Sequence, residues 1–125
     1  MKILVVDDEK DIQTLFEQRF RKEIRENILK FVFAFSGEEA LQYLNIHDHE
    51  AVLILSDINM PGMSGLELLK TIKQKSYIPP PVVMMITAYG DTENYELAKS
   101  LGADDFLTKP VDFGNLKEKL IAINE

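Results

Sequence analysis

The chain has 125 residues, enough for one domain and not comfortably for two. It is 46% hydrophobic and 28% charged, the balance of an ordinary globular protein with one sizeable core. A net charge of −7 argues against direct nucleic-acid binding, and the lack of any cysteine excludes disulfide staples and zinc–thiolate sites and fits a reducing, cytoplasmic setting. No run approaches the ~20 apolar residues of a membrane span. The apolar N-terminal run is too short for a secretory leader and ends in acids.

In chain order, Lys2 to Val6 is a buried strand, ending at Asp7 and Asp8. Ile12, Leu15, Phe16, Phe20 and Ile24 follow at helical spacing and predict one long amphipathic helix. Phe31 to Phe35 is aromatic and β-branched, hence strand. Ser36-Gly37-Glu38-Glu39 is a capping box for a helix whose apolar face is Ala40, Leu41 and Leu44. Val52 to Ser56 is a third strand, followed at once by Asp57 and the turn Asn59-Met60-Pro61-Gly62. A second capping box, Ser64-Gly65-Leu66-Glu67, opens a helix with Leu66, Leu69 and Ile72 inward. Pro79-Pro80-Pro81 leads stiffly into a fourth strand, Val82 to Ile86, ending at Thr87-Ala88. A helix from about Thr92 to Leu101 stops at Gly102, an ordinary C′ residue. Asp105 to Thr108 is a short fifth strand, and Phe113, Leu116, Leu120 and Ile123 mark a final helix.

Five strand–helix units with near-continuous apolar strands imply a parallel sheet buried on both faces. Right-handed crossovers then place helices on both sides. The expected fold is a three-layer α/β/α, doubly wound, five-stranded parallel sheet with five helices. Ligands bind such sheets at the carboxyl ends of the strands, near the topological switch point.

That edge collects the unusual residues. Asp7 and Asp8 follow the first strand, Asp57 the third, Thr87 the fourth, and Lys109 the fifth, directly before Pro110. A buried, unpaired charge is costly, so acids ending buried strands are expected to share a cation. Oxygen-only ligands without cysteine favour a hard ion such as Mg²⁺, which takes one or two carboxylates plus a phosphate oxygen. Lys109 and the Thr87 hydroxyl suit phosphoryl oxygens, and a carboxylate can itself accept a phosphoryl group. A lone strand-end Asp would be read as a turn-former and a lone Lys as solvated surface. It is their common register that outweighs those readings.

The chain resembles the receiver (CheY-like) domain of two-component response regulators, across residues 1–125. The resemblance is carried by Val5-Val6-Asp7-Asp8, the Asp57 to Gly65 segment, Thr87-Ala88, Lys109-Pro110 and Gly102-Ala103-Asp104-Asp105-Phe106. It implies a flavodoxin-like sheet with strand order 2-1-3-4-5. It makes Asp57 the phosphoacceptor, Asp8 and the Asn59 carbonyl Mg²⁺ ligands together with Asp57, and Asp7 a ligand through water. Lys109 would contact the phosphoryl group, its bond to Pro110 being cis, and Thr87 and Phe106 would switch together. The switch would reshape the surface made by the fourth of the five expected helices, the fifth strand and the last helix. The implied donor is a sensor histidine kinase or a histidine phosphotransfer protein. The output would be a partner protein or a further domain, with a phosphorylation-dependent homodimer as one form of it. The chain would promote its own phosphotransfer and dephosphorylation without being a turnover enzyme.

Phe106 stands where the family often has Tyr, so no hydroxyl is available there in either rotamer. Tyr89 and Asn59 occupy positions that modulate hydrolysis of the acyl phosphate in the family. A flavodoxin-type cofactor binder would need a phosphate-cradling loop where Asp7-Asp8-Glu9 stands. A phosphatase with an Asp nucleophile would keep an acid where Asn59 stands. The alternative within the family is a phosphorylation-independent pseudo-receiver acting only by protein contact. His47-Asp48-His49-Glu50 has metal-binding residue types but no third committed ligand.

Overall fold

The structure is a computed structural model that describes residues 2–48, 50 and 52–124. Its elements run β1 (Lys2–Val6), α1 (Asp11–Arg19), α2 (Arg21–Arg25), β2 (Lys30–Ala34), α3 (Gly37–Ile46), β3 (Val52–Asp57), α4 (Gly65–Gln74), β4 (Val82–Thr87), α5 (Thr92–Ser100), β5 (Asp105–Thr108) and α6 (Phe113–Asn124). The five strands form one parallel sheet in the order β2-β1-β3-β4-β5. All six residues of the central strand, β3, are buried. The chain moves outward from β1 to β2, then returns to place β3 on β1's other side. The β1–β3 junction is therefore the topological switch point.

The period-two alternation of strands divides the core. Ile3, Val5, Leu53, Leu55, Met84 and Ile86 face one side, covered by Phe16, Phe20, Leu116 and Leu120 of the α1, α2 and α6 region. Leu4, Val6, Ile54, Val83 and Met85 face the other, covered by Ala40, Leu44, Leu68, Leu69, Ile72 and Ala98 of α3, α4 and α5. The same alternation decides which side each strand-end residue favours.

Among the described residues six helices are present where five were expected. The long first helix is broken at Phe20, whose φ of −111° and ψ of 23° end α1 and precede α2. The Phe20 ring is fully buried, with centroids 5.9 Å from Phe16, 5.1 Å from Phe31 and 6.0 Å from Phe113. Aromatic packing of this kind outweighs the small cost of interrupting a helix. Strand β2 begins at Lys30 and ends at Ala34, one residue earlier than expected at each end. The Ala34 carbonyl there accepts the Asp7 N–H at 3.1 Å.

Both predicted caps form. The Ser36 hydroxyl accepts from the Glu39 N–H at 3.1 Å and the Ser64 hydroxyl from the Glu67 N–H at 3.2 Å. Glu39 reaches back to the Phe35 N–H at 3.1 Å, completing the first box one residue early. On α4, Leu69 and Ile72 are buried as expected and Leu68 joins them, while Leu66 is half-buried. The Lys109–Pro110 bond is cis, as is Ile78–Pro79.

Candidate functional site

The acids meet because their strands do. Val6 pairs with Ser56 in register, so the chain just past β1 and the end of β3 emerge side by side. Alternation then aims Asp7 and Asp57 toward the same side of the sheet, following Val5 and Leu55. One carboxylate oxygen from each of Asp7, Asp8 and Asp57 lies within 4.8 Å of the others. Asp7 and Asp57 are buried and Asp8 is exposed. This donor set, three carboxylates and no nitrogen or sulfur, fits a hard divalent cation.

Lys109 supplies the opposing charge. Its Nζ lies 2.8 Å from Asp57 Oδ2, and the Asp57 side chain is only 5% exposed. The Lys109 backbone is fixed as well, since its N–H donates to the Thr87 carbonyl at 2.8 Å. The other Asp57 oxygen, Oδ1, accepts from the Asn59 N–H at 3.4 Å. Asp7 Oδ1 accepts from the Glu9 N–H at 2.9 Å.

The electrostatics follow from this crowding. Burial pushes the Asp7 carboxyl above its ordinary value; the Glu9 N–H opposes the shift, and the negative charges of Asp57 and Asp8 add to it. Burial alone would lower the Lys109 ammonium, but the Asp57 hydrogen bond and the Asp57, Asp7 and Glu9 charges carry it above its ordinary value. Lys109 thus stays fully cationic at neutral pH.

Thr87 and Phe106 belong to the other side of the sheet. Thr87 follows Val83 and Met85 by alternation, one residue beyond Ile86, the register partner of Asp57. The Thr87 hydroxyl is buried and donates to the Leu107 carbonyl at 3.4 Å. Phe106 is half-buried against the same core, its ring 4.4 Å from that of Tyr95 on α5. Tyr95 escaped the sequence reading, because which face of α5 meets the β5 side chains leaves no local signal. A cavity of about 220 Å³ lies between Thr87, Thr108 and Tyr95. Tyr89 stands beside it, 88% exposed.

One close approach supports the centre. A Cβ on Gly65 would fall 2.1 Å from the Asp57 carbonyl oxygen and 2.8 Å from Ile58 Cα. Only glycine lets α4 begin this near the end of β3. The Gly65 N–H donates to the Ile58 carbonyl at 2.8 Å, closing the loop between them.

A cavity of about 500 Å³ adjoins the acids, its wall formed by Asp7, Glu9, Ile12, Leu15, Lys109 and Phe113 among others. Another, of about 560 Å³, includes Lys2, Glu17 and Lys30 and gathers no cluster of acids among the described residues. His47 Nδ1 lies 3.3 Å from Glu50 Oε2, which also takes Lys2 Nζ at 2.7 Å. His49 lies outside the described residues.

A doubly wound sheet whose acids and one lysine meet at the switch point defines a flavodoxin-like domain with a cation-ready crevice. The chain belongs to the response regulator receiver domain family, which its residues 3–121 match. It is 40% identical over 120 residues to the response regulator protein PilR of Pseudomonas aeruginosa, covering 94% of this chain and 24% of PilR. It is 34% identical over 122 residues to the transcriptional regulatory protein CpxR of Escherichia coli, covering 98% of this chain and 48% of CpxR. The chain thus spans about a quarter to a half of the length of these relatives. Among solved structures, the chemotaxis protein CheY4 of Vibrio cholerae superposes with a TM-score of 0.78 at 28% identity, covering 98% of this chain and 97% of that one. Receivers of two-component systems are signalling switches rather than enzymes in the turnover sense. Among the described residues no helix is long and apolar enough to cross a membrane.

Proposed function

We propose that residues 1–125 form one receiver domain that accepts a phosphoryl group on Asp57 in the presence of Mg²⁺. The donor in this reading is the phosphohistidine of a sensor histidine kinase or histidine phosphotransfer protein. An Asp57 carboxylate oxygen forms the new P–O bond as the donor's P–N bond breaks, and the imidazole leaves with a proton from solvent. The observation that carries the reading is the buried Asp57 carboxylate, held 2.8 Å from Lys109 with Asp7 and Asp8 oxygens within 4.8 Å.

Asp8, Asp57, the Asn59 carbonyl and, through water, Asp7 would hold Mg²⁺, which supplies charge neutralisation for the incoming phosphoryl group. Lys109 neutralises Asp57 at rest and turns to a phosphoryl oxygen afterwards. Thr87 then donates its hydroxyl to the phosphoryl group instead of to Leu107. Phe106 follows inward, changing the surface made by α5, β5 and α6 that an output partner or domain reads. The setting is cytoplasmic, and a phosphorylation-dependent homodimer is one form the output takes.

The test is Mg²⁺-dependent labelling by acetyl phosphate. Wild type should label, Asp57→Asn should not, and removing Asp8 should weaken Mg²⁺ binding. Equal labelling of wild type and Asp57→Asn refutes the phosphoacceptor assignment. Absence of labelling in the wild type favours the pseudo-receiver that acts only by protein contact.

A further inference from the structure

The segment between Asp57 and α4 carries Asn59, and its far end rests on α3. The first turn of α3 has two adjacent glutamates with separate tasks. Glu39 completes the helix cap through Ser36 and Phe35. Glu38 points across to the other loop, where its Oε1 accepts the Met63 N–H at 3.2 Å. Both Glu38 oxygens lie 3.8 Å from where a Cβ on Gly62 would stand. The Met63 side chain presses on the same turn, since a Cβ on Gly37 would fall 2.8 Å from its sulfur. The loop is thus pinned at one end by the Gly65 N–H on Ile58 and at the other by Glu38. Pro61 stiffens the span between them by restricting both itself and Met60.

We propose that Glu38 is a positioning residue for divalent-cation binding. It fixes the loop from Asn59 to Met63 so that the Asn59 carbonyl stays within reach of the acids. Without the brace, the loop must be ordered when the cation arrives, and that ordering weakens affinity. The proposal rests on the site reading given above. Glu38 itself touches no ligand; it acts through backbone.

The experiment is an amide NMR titration of the full chain with Mg²⁺ alone, comparing wild type, Glu38→Ala and Glu38→Gln. Gln keeps an acceptor oxygen and removes the charge, so it separates bracing from long-range attraction of the cation. Glu38→Ala should raise Kd by about three- to ten-fold, less than for a partner that contacts a metal ligand directly. Glu38→Gln should stay within about two-fold of wild type, because one neutral hydrogen bond replaces a charge-assisted one. Exchange of the Met63 amide should quicken in the Ala variant alone, and this readout does not depend on metal. An unchanged Kd in Glu38→Ala overturns the proposal. Equal weakening in both variants also overturns it, since the effect is then charge. A wild type that binds no Mg²⁺ removes the site reading itself and the brace with it, an outcome distinct from the other two.

Discussion

Replacing Asp7 by Asn should stabilise the metal-free protein. Asp7 is buried beside the equally buried Asp57, with Asp8 close by, and one oxygen of each lies within 4.8 Å of the others. Two unit charges at that separation repel by about 3.5 kcal/mol at an effective dielectric constant of ~20. Lys109 offsets part of this, and exposure of Asp8 screens more, leaving a net gain of about 1–2 kcal/mol for Asp7→Asn at pH 7. Asn retains an oxygen for the Glu9 N–H, so the substitution removes charge more than hydrogen bonding. For a chain of this length each kcal/mol raises Tm by about 3–5 °C. The pH dependence has a definite sign. The folded Asp7 carboxyl titrates above its ordinary 3.8, so the native state holds that proton more tightly than the unfolded chain. Wild-type stability from this group is fully present below 3.8 and is lost as pH rises through the raised value. The advantage of Asp7→Asn should therefore vanish at low pH and be complete at neutral pH. Mg²⁺ at ten times its Kd should restore about 1.4 kcal/mol to the wild type and less to the variant. Thermal unfolding in EDTA across pH 3.5 to 7.5, repeated with Mg²⁺, measures all three effects. A variant no more stable than wild type at pH 7, or a gain independent of pH, would refute the reasoning.

Gly65→Ala drives a methyl into the Asp57 carbonyl and Ile58 backbone, neither of which can rotate aside. It should cost about 1–3 kcal/mol in urea unfolding and reduce acetyl-phosphate labelling, and wild-type behaviour in both would show that α4 can retreat freely. Lys117→Met removes the ammonium 2.9 Å from the buried Glu23 carboxylate, whose other oxygen has no hydrogen-bond partner among the described residues. A loss of about 1–2 kcal/mol at pH 7 is expected, below the usual figure for buried pairs because Lys117 is 40% exposed. The Lys117 hydrogen bond holds the Glu23 carboxyl below its ordinary 4.5, so the loss should fade as pH falls beneath that value. A deficit that does not shrink at all as pH falls from 7 to 3 would point to packing rather than charge.

Residues Val52 to Asp57 were legible because burial on both faces leaves an unbroken apolar string that ends where chemistry begins. The caps at Ser36 and Ser64 were legible because the donor and acceptor are three residues apart. The acids could be grouped without coordinates, since parallel strands share one carboxyl edge. What escaped the sequence lies in contacts between distant elements. Phe20 keeps perfect helical spacing, yet the rings of Phe16, Phe31 and Phe113 decide its backbone. Gly65 reads as an ordinary helix-start residue until β3 is placed against it. Glu38 and Glu39 are indistinguishable in sequence, and only the position of Met63 gives them different work. The tilted packing of Tyr95 against Phe106 likewise required the β5–α5 geometry.

The two-sidedness of the sheet has a thermodynamic consequence. Asp7 and Asp57 follow the face covered by α1 and α6, whereas Thr87 and Phe106 follow the face beneath α5. On the proposed reading a donor enters beside Lys109 while the α5 part of the readout surface, near Tyr95, lies on the opposite face, so a partner that reads α5 rather than α6 need not compete for the same ground. A ternary complex is then sterically open, and linkage becomes reciprocal. A partner that prefers the phosphorylated form must raise the equilibrium constant for phosphorylation by the same factor as phosphorylation raises its own affinity. On that reading the downstream partner becomes a determinant of how far the phosphorylated form is favoured at equilibrium.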